Sequence, residues 1–127
     1  MKKQFISLLC FLSFGHTIVA AIPTKIVNNT YGKTLFSIIV NEGNKSSEIP
    51  VTLLYQKTWE LPSDGKRLVS ITWADSVTKK IYTAKDPLAH ISAGGTVIIF
   101  KDGKLLLDNK KNDMKYAKAE FTGKILD

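Results

Sequence analysis

The residues best suited to catalysis surround His90. Asp86 lies four residues before this histidine and Ser92 lies two residues after it. These are the residue types of a Ser-His-Asp hydrolase, with His90 as the base. Such enzymes often present the serine on a sharp turn, and the sequence has no Gly-x-Ser-x-Gly elbow. We therefore expect a surface histidine and a chain that is not an enzyme, with a small hydrolase using His90 as an alternative.

The acidic residues do not form a second catalytic or metal-binding motif. Glycosidases need two carboxylates across a cleft, and among the glutamates only Glu60 neighbours an aromatic residue, Trp59. A zinc site needs three or four histidine, cysteine or carboxylate ligands, which scattered aspartates and one histidine do not supply. The Asp102-Gly103 pair is typical of a turn rather than of a calcium-binding loop. We expect no cofactor and no metal ion.

Aromatic rings and lysines are the remaining candidates for binding. Four aromatic rings could stack on a sugar: Trp59, Trp73, Tyr55 and Tyr82. Trp59, Tyr55 and Trp73 alternate in step with aliphatic neighbours, however, which predicts that they pack in the core instead. Two other tyrosines lie beside turn residues and lysines, so we expect their rings to be exposed. The predicted ligand-binding residues are Lys101, Lys104, Tyr31, Tyr116 and His90.

The chain is basic, with 18 Lys and Arg residues against 11 Asp and Glu residues and a formal net charge of +7. Arg67 is the only arginine. Because arginine is the usual residue for bidentate phosphate and base recognition, we expect no specific nucleic-acid binding. Lysines attract anionic surfaces at longer range. The expected partner is a protein, or an anionic glycan or lipid surface.

The N-terminal segment resembles an export signal in its composition. Lys2 and Lys3 precede an apolar run from Phe5 to Phe14, and Ala20 and Ala21 offer small residues for cleavage. The run is too short to span a bilayer comfortably. We therefore expect residues 1–21 to be a cleaved signal peptide and residues 22–127 to form a single monomeric domain. That domain would be periplasmic or extracellular, without a transmembrane segment.

The elements that must position these side chains are strands. Two apolar runs flank Asp102-Gly103, which favours a two-residue type I′ turn. The resulting hairpin places Phe100 opposite Leu105. At its exposed tip, Lys101 lies opposite Lys104. Alternation then predicts one shared face for four apolar residues: Ile98, Phe100, Leu105 and Leu107.

Period-two patterns recur along the rest of the chain. The pattern over residues 49–61 fits one strand, or two strands that meet at a bend near Lys57. Residues 41–47 resemble a polar loop. One short helix fits near 86–90, with Asp86 as its N-cap, or near 113–121, where a strand fits equally well.

These patterns predict an all-β fold, a single antiparallel β-sandwich of about seven strands. Its style is immunoglobulin-like without the Cys-Trp-Cys signature, and it has no disulfide because the only cysteine, Cys10, lies in the export segment. Asn28-Asn29-Thr30 also matches the acceptor pattern for N-linked glycosylation.

The predicted function is that of an exported small non-enzymatic binding protein that recognises a protein partner or an anionic surface. One alternative is a structural subunit of a surface assembly, in which residues 22–29 add a strand to the next subunit's sheet. The other is an exported hydrolase that uses His90.

Overall fold

A computed structural model describes residues 23–61, 66–91, 94–109 and 113–125. The predicted signal peptide, residues 1–21, lies outside the described residues. In the described ranges no helix is long and apolar enough to cross a membrane. The strands are β1 (Thr24–Asn29), β2 (Thr34–Glu42), β3 (Lys45–Leu53), β4 (Thr58–Leu61), β5 (Lys66–Ala74), β6 (Lys80–Ala84), β7 (Thr96–Phe100), β8 (Lys104–Asp108), β9 (Met114–Lys118) and β10 (Glu120–Lys124).

The strands form two five-stranded sheets. Sheet A has the order β4-β1-β7-β8-β9, and sheet B has the order β10-β6-β5-β2-β3. Neighbouring strands are antiparallel except β1 and β7, which run parallel. One hydrophobic core takes buried side chains from both sheets. The predicted all-β fold is thus confirmed and is consistent with a β-sandwich, with more strands than expected.

The additional strands arise where the chain crosses from one sheet to the other. Residues 49–61 divide into the end of β3 in sheet B and β4 in sheet A, which confirms the bend near Lys57. Residues 113–121 likewise divide, so the helix considered there is wrong. β9 belongs to sheet A and β10 to sheet B, and between them the Ala119 N–H donates to the Gly103 carbonyl at 2.7 Å.

A short helix does form over Asp86–His90, and it is a 3-10 helix. Its N-cap is Lys85 rather than Asp86, which lies within the first turn. The region predicted as a polar loop, residues 41–47, is instead a tight hairpin. Strands β2 and β3 pair up to Glu42 and Lys45 around a two-residue turn, in which Gly43 has a φ of 61°.

The Asp102-Gly103 hairpin exists, but its predicted register is wrong by one residue. Ile99 lies opposite Leu105, and the loop is the three-residue segment Lys101–Gly103. Asp102 and Gly103 both have positive φ, at 64° and 77°. A one-residue shift turns every side chain of a strand to the other face. Val97 and Ile99 therefore face the core with Leu105 and Leu107, whereas Ile98 and Phe100 face outwards.

The inner face of sheet B carries much of the aromatic core. Trp73 is almost fully buried, with its ring centroid 6.2 Å from that of Phe36 and 5.9 Å from that of Tyr82. The core position predicted for Trp73 is thus confirmed, and Tyr82 is buried beside it. Trp59 is half-buried against the core. Tyr55 is also half-buried, and it follows β3 in a turn rather than continuing the strand.

Candidate binding surface

The hairpin loop of sheet A is held by Asp75, a buried residue that follows β5. Its Oδ1 accepts hydrogen bonds from the N–H groups of Val77 at 2.9 Å and Thr78 at 3.2 Å. Its Oδ2 accepts one from the N–H of Asp102 at 3.2 Å. Hydrogen bonds to a carboxylate are stronger than those between neutral groups. A residue directly after a strand of sheet B therefore positions the loop that carries Lys101.

Tyr82 of sheet B lies against the same loop. A Cβ added to Gly103 would approach the Tyr82 ring to 2.6 Å, so this positive-φ position requires glycine. Burial raises the pKa of the Tyr82 phenol, and the charges of Asp102 and Asp75 raise it further. The phenol therefore resists ionisation, and its ring forms a fixed support for the loop.

Asn28 holds the turn that presents Tyr31. Its side chain is buried, and Nδ2 donates to the carbonyl oxygens of Gly32 and Leu53, both at 2.8 Å. Its Oδ1 accepts from the Thr30 hydroxyl at 2.7 Å. This network stabilises the left-handed backbone of Tyr31, whose φ is 69°. The Asn28 amide of the Asn28-Asn29-Thr30 acceptor pattern is thus buried and hydrogen-bonded in the folded chain.

An open groove of about 270 Å³ lies between this turn and the hairpin. We call it the basic aromatic groove, and its lining residues are Tyr31, Phe100, Lys101, Asp102, Lys104 and Tyr116. Tyr31 stacks on Tyr55 with the ring centroids 5.0 Å apart. The Lys101 ammonium lies 5.9 Å from the Tyr31 ring centroid, within reach of a cation–π interaction.

The groove adjoins an apolar row on the outer face of sheet A. Cross-strand partners place Val27 beside Ile98, Ile98 beside Leu106 and Leu106 beside Tyr116. Leu106 is only 8% exposed although it points away from the core, whereas Tyr116 is 76% exposed. Exposed contiguous apolar surface is typical of interaction sites. The row thus ends at an uncovered aromatic ring.

Three lysines give this face its charge. Lys101 and Lys104 line the groove, and Lys118 of β9 lies directly across the ladder from Lys104. This corrects the predicted pairing of Lys101 with Lys104. Within the described residues none of the three ammonium groups forms an ion pair with a carboxylate. Like charges at such a position favour an anionic partner.

His90 lies apart from the groove. It is exposed at the end of the 3-10 helix and lines a shallow depression with Asp86 and Lys115. Ser92, the third residue of the predicted hydrolase arrangement, lies outside the described residues. No hydrogen bond joins His90 to Asp86 in the part of the chain that the structure describes. In that same part, no cluster of three or more His, Cys, Asp or Glu side chains could hold a metal ion.

The structure therefore brings together four of the five predicted ligand-binding residues: Lys101, Lys104, Tyr31 and Tyr116. Sequence reasoning missed Phe100, because the assumed two-residue turn placed it in the core. It also missed Asp102, which was interpreted only as a turn residue. The signal that pointed towards Phe100 is the hairpin's apolar character on both faces, since only one face can lie against the core of a sandwich.

No protein-family model, curated protein or solved structure matches this chain.

Proposed function

We propose that residues 22–127 form an exported, non-enzymatic binding protein that acts in the periplasm or outside the cell. The basic aromatic groove is its binding surface, and the partner is anionic. One observation carries this proposal: two exposed tyrosines that lie far apart in the sequence, Tyr31 and Tyr116, line one groove with Lys101 and Lys104. The export-signal composition of residues 1–21 supports the location.

The arrangement of the groove suits recognition rather than catalysis. Phe100 and the two tyrosines supply apolar contact area, and aromatic rings of this kind often dominate binding energy. Lys101 and Lys104 supply positive charge at the rim, where it accelerates association with an anion. The described residues that line the groove include no histidine, cysteine or serine that could act as a base or nucleophile.

The proposal is tested by fluorescence anisotropy with labelled poly-glutamate as the probe. We expect binding that weakens strongly between about 50 mM and about 500 mM salt, because the charges are exposed. Lys101→Gln combined with Lys104→Gln should weaken it by roughly tenfold. Replacing both Tyr31 and Tyr116 by alanine should have a comparable effect.

The matched control is Lys45→Gln combined with Lys124→Gln. These exposed lysines belong to sheet B, so the variant has the same net charge as the groove variant. An equal loss in both double variants would mean that total charge, and not the groove, determines binding. Binding that is insensitive to salt would rule out an anionic partner.

The alternative of a structural subunit is less favoured by the geometry. β1 lies inside sheet A, antiparallel to β4 on one side and parallel to β7 on the other. Donating residues 22–29 to another subunit would break both ladders. In the hydrolase alternative, His90 has no hydrogen-bonded carboxylate among the described residues, so no specific observation supports it.

A further inference from the structure

The open edge of β9 is the most regular of the four sheet edges. β4 has only four residues, and β3 contains Pro50, which lacks an N–H donor. β10 is interrupted by a register shift between Phe121 and Gly123. β9 pairs with β8 in continuous register on one side, and no described strand pairs with its other side.

Two hydrogen bonds determine which backbone groups of β9 are free. The Asn109 N–H donates to the Asp113 carbonyl at 2.9 Å, and the Ala119 N–H donates to the Gly103 carbonyl at 2.7 Å. Bonded and non-bonded pairs alternate along an antiparallel ladder. Lys115 and Ala117 therefore direct their backbone groups at β8. The other three residues of β9 direct theirs at the open edge: Met114, Tyr116 and Lys118.

The same three side chains lie on the outer face of sheet A. Tyr116 continues the apolar row that ends at Leu106, and it also lines the basic aromatic groove. A strand added at this edge would have its own apolar side chain beside Tyr116. It would thereby extend the apolar row by one position.

Charge determines which strand can be added. Lys115 and Lys118 are both exposed on β9, and Lys104 lies across from Lys118. Pairing of β9 with a second copy of itself would bring the lysines of both copies to one edge, a known means of discouraging self-association. An acidic strand would instead place carboxylates beside these ammonium groups.

We propose that β9 accepts an extended acidic polypeptide segment as a sixth, antiparallel strand of sheet A. This inference rests on the proposed function and specifies its partner. The expected pattern, in the order opposite Lys118 to Met114, is Glu-Thr-Phe-Glu-Val. Its glutamates lie beside Lys118 and Lys115, its threonine beside Ala117 and its phenylalanine beside Tyr116.

The test uses this pentapeptide with neutral flanking serines, labelled for anisotropy, and the same peptide with single backbone N-methyl groups. Methylation at the phenylalanine removes an N–H that would donate to β9, and we expect at least roughly tenfold weaker binding. Methylation at the second glutamate removes an N–H that points away from β9. We expect that peptide to bind within about twofold of the parent.

Charge reversal provides a second, independent arm. The double variant Lys115→Glu with Lys118→Glu should no longer bind the acidic peptide. It should instead bind the version of the peptide that has lysines in place of glutamates. Both residues are exposed, so unchanged thermal unfolding serves as the control for folding.

The outcomes separate this inference from the proposed function. Equal binding of the two methylated peptides, with loss in the Lys101→Gln and Lys104→Gln variant, would overturn strand addition and retain the groove. Binding of sulfated glycan or anionic vesicles but not of the peptide would also overturn it. If the protein dimerises through β9 and does not bind the peptide, a second copy of the chain occupies this strand edge, which contradicts the proposal.

Discussion

The outer faces of the two sheets differ sharply. On sheet B, Thr72 and Thr83 lie side by side with their hydroxyl oxygens 3.0 Å apart, and the Ser37 hydroxyl donates to the Glu48 carboxylate. On sheet A, the corresponding central positions are apolar, as in Ile98 and its neighbour across the ladder. Sheet B thus mixes these polar groups with apolar Leu35 and Ile39 on its outer face, whereas the central row across the outer face of sheet A is apolar from Val27 to Tyr116.

The two faces also differ in how their apolar side chains are covered. On sheet B, hydroxyl and carboxylate groups of the outer face form hydrogen bonds with one another. On sheet A, Leu106 is covered by its neighbours in the ladder, but Tyr116 is exposed on β9, the edge strand. An apolar row that ends at an exposed ring is typical of an interaction surface.

The largest expected effect on stability distinguishes the core-facing side chains of β8 from its outward-facing ones. Leu105→Ala removes a side chain from the closed core and should lower the free energy of unfolding by about 2–5 kcal/mol. Leu106→Ala, on the outer face, should cost roughly half as much because its surroundings can relax. Thr72→Ala, on the outer face of sheet B, should cost less than about 1 kcal/mol. Urea denaturation at constant pH measures all three.

A Leu106→Ala cost no greater than that of Thr72→Ala would contradict the comparison. The outer face of sheet A would then be an ordinary solvent-facing surface. An unchanged m value across the three variants serves as the check that only stability has changed.

The next effect tests the connection between the sheets. Asp75→Ala leaves the N–H groups of Val77, Thr78 and Asp102 without their acceptor, and we expect a loss of about 2–3 kcal/mol. Asp75→Asn keeps one acceptor oxygen and should lose less. Thermal unfolding ranks the two variants. Equal losses would mean that the negative charge, rather than the number of acceptors, matters.

The strands of sheet B were predictable because their apolar residues alternate clearly, as in Phe36, Ile38 and Val40. The register of the hairpin could not be predicted, since Asp102-Gly103 suits both a two-residue turn and a longer loop. The choice depends on the hydrogen bond from Asp102 to Asp75, which is 27 residues away. The exposure of Tyr31 and Tyr116 followed from their neighbours. That the two tyrosines line one groove could not be predicted, because it depends on the pairing of β1 with β7 and of β8 with β9.

A smaller effect concerns pH. Burial, together with Asp102 and Asp75, raises the pKa of folded Tyr82 above its usual value of 10.0. Above that pH the unfolded chain releases a proton that the folded chain keeps, so stability falls as pH rises, with a slope of at most about 1.4 kcal/mol per pH unit from this group.

Tyr82→Phe should remove that part of the slope between pH 10 and the raised pKa while the rest of the alkaline profile remains. Urea titrations of the two proteins at stepped alkaline pH measure the difference. Parallel profiles would show that the hairpin loop does not hold Tyr82 in its neutral form.

Two substitutions with the smallest expected effect on stability test whether the two outer faces differ in binding. Tyr116→Thr on sheet A and Leu35→Thr on sheet B each replace an exposed apolar side chain, at 76% and 61% exposure, so each should change stability by less than about 0.5 kcal/mol. Anilinonaphthalene sulfonate, an apolar anion, should bind the native protein at the basic aromatic groove. The fluorescence of the bound dye should fall several-fold in Tyr116→Thr and stay unchanged in Leu35→Thr. The reason is that Tyr116 lies beside Lys104 in the groove, whereas Leu35 is not among its lining residues. A similar fall in both variants would mean that exposure alone binds the dye, and the two outer faces would then differ in composition but not in function.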